Sequence, residues 1–115
     1  MLDWLRWPNF TEGEFRCRCG CGRADMDPAF MDRLQALRER FGKPLRISSG
    51  YRCPDHNARV SSTGRGGPHI TGKAVDVAVA YGDVDELERL AVLADVSGRG
   101  VQQKPRRHGE HWRSL

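Results

Sequence analysis

The sequence lacks the long hydrophobic run that a membrane-spanning helix requires. Such a helix needs roughly 18 or more consecutive apolar residues, and no stretch of the 115 residues approaches that length. The first ten residues are interrupted by Asp3, Arg6 and Pro8, which argues against a secretory leader. Internal repeats are absent, and the chain is too short for two ordinary domains. We therefore expect one soluble, monomeric domain over residues 1–115, without membrane insertion.

A strong excess of either charge is also absent. Nineteen Lys and Arg against fifteen Asp and Glu leave a net charge of +4, which favours an anionic partner such as nucleic acid, anionic lipid or bacterial cell wall. The three tryptophans, Trp4, Trp7 and Trp112, are not interleaved with the arginines as in a surface that stacks bases. Nucleic acid is therefore the disfavoured partner.

The four cysteines are unevenly distributed along the sequence. Cys17, Cys19 and Cys21 are separated by single residues, and Cys53 lies far along the chain. Cysteines only two positions apart form disulfides poorly, so a bridge would join Cys53 to one of the three. A four-thiolate zinc site is a second interpretation, although structural sites usually separate paired cysteines by two to four residues. Free or partly bridged thiols are the default interpretation. The number of cysteines alone does not fix their redox state.

Two helices are indicated by capping residues and periodicity. Asp27 followed by Pro28 is typical of a helix start, and Gly42 is typical of its end. The apolar residues between them recur at helical spacing: Phe30, Leu34, Leu37 and Phe41. Asp83 and Glu86 have the spacing of a capping box before a second helix. The apolar face of that helix comprises Val84, Leu87, Leu90, Ala91 and Ala94.

Two strands are predicted on either side of a loop of small residues. Residues 45–49 and 74–80 read as strands, and the composition of residues 61–68 predicts a loop. Asp76 is the one charged residue within the second strand. Because a buried carboxylate costs several kcal/mol unless a cation or hydrogen bonds compensate it, we expect Asp76 to have a partner.

His69 is a candidate for a site shared with Asp76. The flexible turn Ile70–Gly72 lies between a loop imidazole and a strand carboxylate, so the two side chains can converge. A catalytic zinc ion takes three nitrogen, oxygen or sulfur ligands and keeps an open position for water. His108 and His111 are the only histidines downstream that could supply the third ligand. The alternatives are that His69 is a surface residue and that Asp76 pairs with an arginine.

Two segments resemble motifs of a known family. Residues 67–76 read Gly-Pro-His-Ile-Thr-Gly-Lys-Ala-Val-Asp. They resemble the S-x-H-x-x-G-x-A-x-D signature of zinc D-alanyl-D-alanine carboxypeptidases, which include phage endolysins. Residues 49–57, Ser-Gly-Tyr-Arg-Cys-Pro-Asp-His-Asn, resemble the S-G-Y-R-x-x-x-x-N segment of that family. Residues 9–21 are similar to the opening of its small single-domain branch, so the resemblance covers about residues 9–104.

The resemblance implies a Hedgehog/DD-peptidase-like α+β fold, a small antiparallel sheet flanked by helices. It implies zinc held by His69, Asp76 and a late histidine, for which we favour His111 beside Trp112. Arg52 matches the family arginine that faces the substrate, where a guanidinium can bind a carboxylate or stabilise an oxyanion. A surface position, or a structural pairing with Asp76, is the alternative for Arg52.

Gly67 and the C-terminal segment depart from the family pattern. Gly67 stands where the signature usually has serine, and neither tail motif of the family is intact after residue 106. Glu110 is the slightly favoured general base, although on a strand its side chain would point away from that of His111. His108 is the alternative base and the alternative third ligand, since an imidazole titrates near neutral pH.

The function that the resemblance implies is zinc-dependent cleavage of peptide stems or cross-bridges of peptidoglycan. The enzyme would be a D-Ala-D-Ala carboxypeptidase or an endopeptidase, with Zn²⁺ as cofactor and the peptidoglycan peptide as partner. We expect it to accumulate in the cytoplasm without a signal peptide and to act on the cell wall after release. The altered tail leaves one alternative, a catalytically degenerate wall-binding or structural module on the same scaffold.

Overall fold

The computed structural model describes residues 2–96, 105–107 and 110–115. Within these residues the α-helices are α1 (Glu12–Phe15), α2 (Pro28–Phe41), α3 (Pro54–Val60) and α4 (Val84–Leu93). The strands are β1 (Arg46–Ser49), β2 (Asp76–Ala80), β3 (Pro105–Arg107) and β4 (Glu110–Ser114). Short 3-10 helices cover Trp4–Arg6, Pro68–Thr71 and Tyr81–Asp83. The predicted α+β class is confirmed.

Helix α2 begins and ends at the residues that the sequence indicates. The Asp27 carboxylate accepts a hydrogen bond from the Phe30 N–H at 2.9 Å, and Pro28 occupies the first turn. At the other end Gly42 has a φ of 71°, a left-handed conformation that glycine adopts at low cost. The predicted apolar face is buried in the core, namely Phe30, Leu34, Leu37 and Phe41.

One antiparallel sheet contains all the strands of the described residues, in the order β1-β2-β4-β3. Strand β2 therefore lies between two neighbours, and its first four residues are buried. Beyond the paired strands, Val75 and Leu115 exchange two backbone hydrogen bonds of 3.1 and 2.8 Å. These bonds hold Leu115 next to the start of β2, where Asp76 lies.

Helix α4 forms where the sequence predicts it, but the predicted capping box is wrong. Asp83 has a helical backbone conformation and makes no side-chain capping bond. Its carboxylate instead accepts a 2.7 Å hydrogen bond from the Lys43 ammonium, which raises the pKa of Lys43. Glu86 also approaches Lys43, at 3.9 Å. Lys43, which follows the end of α2, thus replaces the backbone N–H groups as the partner of Asp83. Local sequence cannot reveal a partner this far away in the chain.

The hydrophobic core joins the N-terminal segment, α2, α4 and β2. Its fully buried apolar side chains are Trp7, Phe15, Met31, Leu34, Leu37, Leu87, Val75 and Val77. The Trp7 indole N–H donates to the Asp32 carboxylate at 2.9 Å, so its polar atom is satisfied. In the part of the chain that the structure describes, no helix combines the length and the apolar character needed to cross a membrane.

Candidate active site

Gly72 brings together the two elements that carry His69 and Asp76. His69 lies in the 3-10 helix Pro68–Thr71, and Asp76 is the first residue of β2. Gly72 has a φ of 74°, and a Cβ atom there would lie 2.2 Å from the Asp25 carbonyl oxygen. Only glycine suits a left-handed position this close to another backbone segment. The close turn expected at Gly72 is therefore present.

The His69 imidazole and the Asp76 carboxylate face each other in a buried position. Nε2 of His69 lies 3.5 Å from Oδ1 of Asp76, and the two side chains are 9% and 6% exposed. The other ring nitrogen, Nδ1, lies 2.8 Å from the Gly50 carbonyl oxygen. Because that oxygen can only accept, Nδ1 donates to it, and Nε2 is the ring nitrogen that faces the carboxylate. Metal-binding histidines are commonly oriented by a backbone carbonyl in this way.

Arg52 lies beside this pair and contacts the second carboxylate oxygen. Its Nη2 is 3.4 Å from Oδ2 of Asp76, and its backbone N–H donates to the His69 carbonyl at 3.3 Å. Burial lowers the pKa of the Arg52 guanidinium, and the Asp76 carboxylate opposes that shift only in part. Nε of Arg52 is buried and has no hydrogen-bond partner among the described residues. One donor of the guanidinium is thus uncommitted next to the His69–Asp76 pair.

Asn57 organises the loop that leads to His69. Asn57 lies in helix α3, where its side chain is fully buried. Its Nδ2, which has two hydrogens to donate, lies 2.7 Å from the Thr63 hydroxyl oxygen and 2.6 Å from the carbonyl oxygens of both Gly64 and Gly66. Its Oδ1 accepts from Nη1 of Arg52 at 3.2 Å. Asn57 therefore links the arginine to the loop.

A proline marks the start of helix α3, a helix that the sequence-based predictions do not include. Pro54 occupies the first turn after Cys53, and proline is favoured at that position because its fixed φ is helical and its missing N–H would have no intrahelical partner. Local residues could therefore have revealed this helix. The partners of Asn57 could not have been found in this way, because they lie in a loop without a regular pattern.

Strand β4 carries two further predicted site residues. In the register of the sheet Glu110 pairs with Ala80, and His111 pairs with Val79. Ser114 is the partner of Asp76, so His111 lies three residues, about 10 Å, along the strand from that position. His108 lies outside the described residues. The structure thus brings His69, Asp76 and Arg52 together, while His111 does not pair with Asp76.

The donor atoms of this site suit a divalent metal ion. An imidazole nitrogen and a carboxylate oxygen are both ligands that zinc accepts, and here they converge in a buried position. A neighbouring guanidinium can bind a carboxylate or a developing oxyanion. A small α+β domain with this combination has the features of a metal-dependent hydrolase.

Comparison with known families makes this class more specific. The family model for Peptidase M15 matches residues 8–108. Because the match covers most of the 115 residues, the chain belongs to the peptidase M15 family, whose members are metal-dependent peptidases. Glu110 and His111 lie beyond the matched residues. Comparisons with curated proteins and with solved structures gave no significant match.

Proposed function

We propose that this protein is a zinc-dependent peptidase that cleaves peptide stems or cross-bridges of peptidoglycan. The cleavage would be either a carboxypeptidase reaction on D-Ala-D-Ala or an endopeptidase reaction. The observation that carries the proposal is the buried 3.5 Å approach of His69 Nε2 to Asp76 Oδ1. Membership of the peptidase M15 family supports the same class of reaction. The proposal includes a monomeric Hedgehog/DD-peptidase-like domain over residues 1–115.

His69, Asp76 and a C-terminal histidine would hold the zinc ion. The ion would polarise the scissile carbonyl and lower the pKa of the attacking water. The Gly50 carbonyl keeps His69 in the tautomer whose Nε2 is available to a metal. His111 is the proposed third ligand, and His108 is the alternative.

Arg52 would bind the substrate. Its Nη groups already contact Asp76 and Asn57, which fix the plane of the guanidinium. The uncommitted Nε donor supports a contact with a peptide carboxylate or with the oxyanion that forms during attack. Glu110 is the proposed general base, which would take a proton from the attacking water and return it to the leaving amine. His108 is the alternative base.

A catalytically degenerate wall-binding or structural module is the second candidate function. The register of β4 favours it, because Ser114 and not a histidine is the partner of Asp76. The family match also ends before Glu110 and His111. Such a module would retain the His69–Asp76 pair and bind peptidoglycan without cleaving it.

Peptide release by the full chain tests the two candidates. The zinc-loaded protein is incubated with purified sacculi and with a stem peptide that ends in D-Ala-D-Ala, and mass spectrometry identifies the products. A peptidase should release D-alanine or separate cross-bridges, lose this activity with a chelator and regain it with zinc. Co-sedimentation with sacculi without any product would favour the degenerate module. Neither binding nor release would contradict both candidates.

Replacing Arg52 with lysine should lower kcat/KM by about 10- to 100-fold, because Arg52 would bind the substrate and also contacts Asp76, a proposed metal ligand. Lysine retains the positive charge but cannot contact Asp76 and Asn57 through a planar fork. Steady-state kinetics on the stem peptide measures the change. Arg65→Lys is the matched control, because Arg65 is exposed and pairs with Asp55. Equal kcat/KM values for the two variants would contradict the role of Arg52.

A further inference from the structure

The four cysteines meet at a second position in the molecule. Their Sγ atoms all lie within 4.8 Å of one another. The Cys17–Cys19, Cys19–Cys53 and Cys17–Cys53 sulfur pairs are separated by 3.4, 3.6 and 3.7 Å. All four cysteines are free thiols, so Cys53 forms no disulfide with Cys17, Cys19 or Cys21 in this structure.

These separations correspond to sulfur atoms arranged around one metal ion. A tetrahedral zinc site with Zn–S bonds of about 2.3 Å has sulfur atoms about 3.8 Å apart. A disulfide would require about 2.05 Å. The distances of 3.4 to 3.7 Å among the sulfur atoms of Cys17, Cys19 and Cys53 are close to the tetrahedral value and far from the covalent one. Sγ of Cys21 lies within 4.8 Å of each of these three sulfur atoms. Four cysteine sulfur donors gathered in this way are a ligand set of structural zinc sites.

The loop that carries three of the cysteines turns sharply at two glycines. Gly20 and Gly22 have φ values of 88° and 80°, a region that favours glycine. The Cys17 N–H donates to the Arg23 carbonyl at 2.8 Å and closes the loop. This backbone path lets Cys17, Cys19 and Cys21 face one point despite their one-residue spacing. The spacing that argued against a zinc site is therefore compatible with one.

Contacts around the sulfur atoms suit thiolate ligands. The backbone N–H of Cys53 donates to Sγ of Cys17 at 3.3 Å. Cys17 and Cys53 are buried, whereas Cys19 and Cys21 are exposed, so a metal ion can reach the cluster from one side. Four thiolates around a divalent ion carry a net negative charge, which nearby cations stabilise. Arg23 interacts electrostatically with Cys21, although it also forms an ion pair with Asp25.

We propose that Cys17, Cys19, Cys21 and Cys53 bind one structural zinc ion, distinct from the catalytic ion. Cys53 is the N-terminal cap residue of α3 and directly follows Arg52. The ion would therefore tie the loop of residues 17–22 to the segment that presents Arg52 to the candidate active site. This structural role does not depend on the proposed peptidase activity.

Metal content and cobalt absorption of the full chain test the proposal. Mass spectrometry of the reduced protein should find about two zinc ions per chain, and about one in the His69→Ala variant. Cobalt in that variant should show thiolate-to-metal charge-transfer bands in the near ultraviolet. The double variant Cys19→Ser, Cys21→Ser should lose these bands and one zinc ion. The control variant Arg18→Ser changes a residue of the same loop that has no sulfur atom. It should retain the thiolate bands and the zinc ion bound by the cysteines.

Three results would overturn the structural zinc site. They are zinc content unchanged by the double cysteine variant, cobalt-loaded His69→Ala without thiolate bands, and, in protein purified without a reductant, a denatured metal-free mass lower by the two hydrogens of a disulfide. The cobalt spectrum of His69→Ala keeps the test valid even where the cysteine variant does not fold. A chain that keeps the thiolate bands but never cleaves peptide would support this site and contradict only the peptidase proposal.

Discussion

Replacing His69 with alanine is expected to abolish peptide release and to remove the zinc ion proposed beside Asp76. The substitution deletes Nε2, which faces the carboxylate at 3.5 Å. A catalytic metal ion contributes several kcal/mol of transition-state stabilisation, so kcat/KM should fall by about 10³-fold or more. Mass spectrometry of the peptide products and of the bound metal measures both effects.

His56→Ala is the matched control for this experiment. His56 lies in α3, outside the His69–Asp76 pair, and no role in chemistry is assigned to it. The control should keep the activity and the metal content of the unaltered protein. Thermal unfolding of both variants separates loss of a ligand from loss of the fold, since His69 also bonds the Gly50 carbonyl. A folded His69→Ala protein with full activity would refute the catalytic role of this residue.

Replacing Gly72 with alanine is expected to lower the free energy of unfolding by about 3 kcal/mol. The left-handed conformation costs a residue with a Cβ about 1–2 kcal/mol. The new Cβ would lie 2.2 Å from the Asp25 carbonyl oxygen and 2.8 Å from the Met26 Cα, so the backbone must shift at a further cost of about 1–3 kcal/mol. Small domains are stable by only about 5–15 kcal/mol, which makes this a large loss. Urea denaturation measures it.

Gly13→Ala provides the matched glycine control. Gly13 lies in α1, a Cβ there meets no atom within 4 Å, and its φ is not positive. Alanine should therefore stabilise the protein by about 0.5–1 kcal/mol, as is usual within a helix. Equal stability of Gly72→Ala and the unaltered protein would show that the turn before β2 can move, and would contradict the argument for glycine.

The elements that could be predicted are those specified by nearby residues. Helix α2 depends on the Asp27 cap, on Gly42 and on apolar residues three and four positions apart, and all of these can be read locally. Helix α3 was missed although Pro54 marks its start. The Asp83 cap was predicted wrongly, because the competing ammonium of Lys43 comes from forty positions earlier in the chain.

For the candidate active site, sequence motifs selected His69, Asp76 and Arg52, and the structure brings these three side chains together. The motif contained no information about the Gly50 carbonyl that orients the imidazole or about the link from Asn57 to Arg52. The register of β4 likewise depends on pairing between strands far apart in sequence. The assignments of the third ligand and the general base stay predictions.

The sequence by itself determined helix α2, the two strands of the candidate site and the residues with metal-binding chemistry, and the family resemblance implied the α+β class. Capping, periodicity and residue type are local properties, so they can be read without a fold. The tertiary structure alone decided that the four sulfur atoms converge and that Ser114, not His111, pairs with Asp76. Both depend on packing between distant segments, because side chains that share a metal or a register position need no particular separation along the chain.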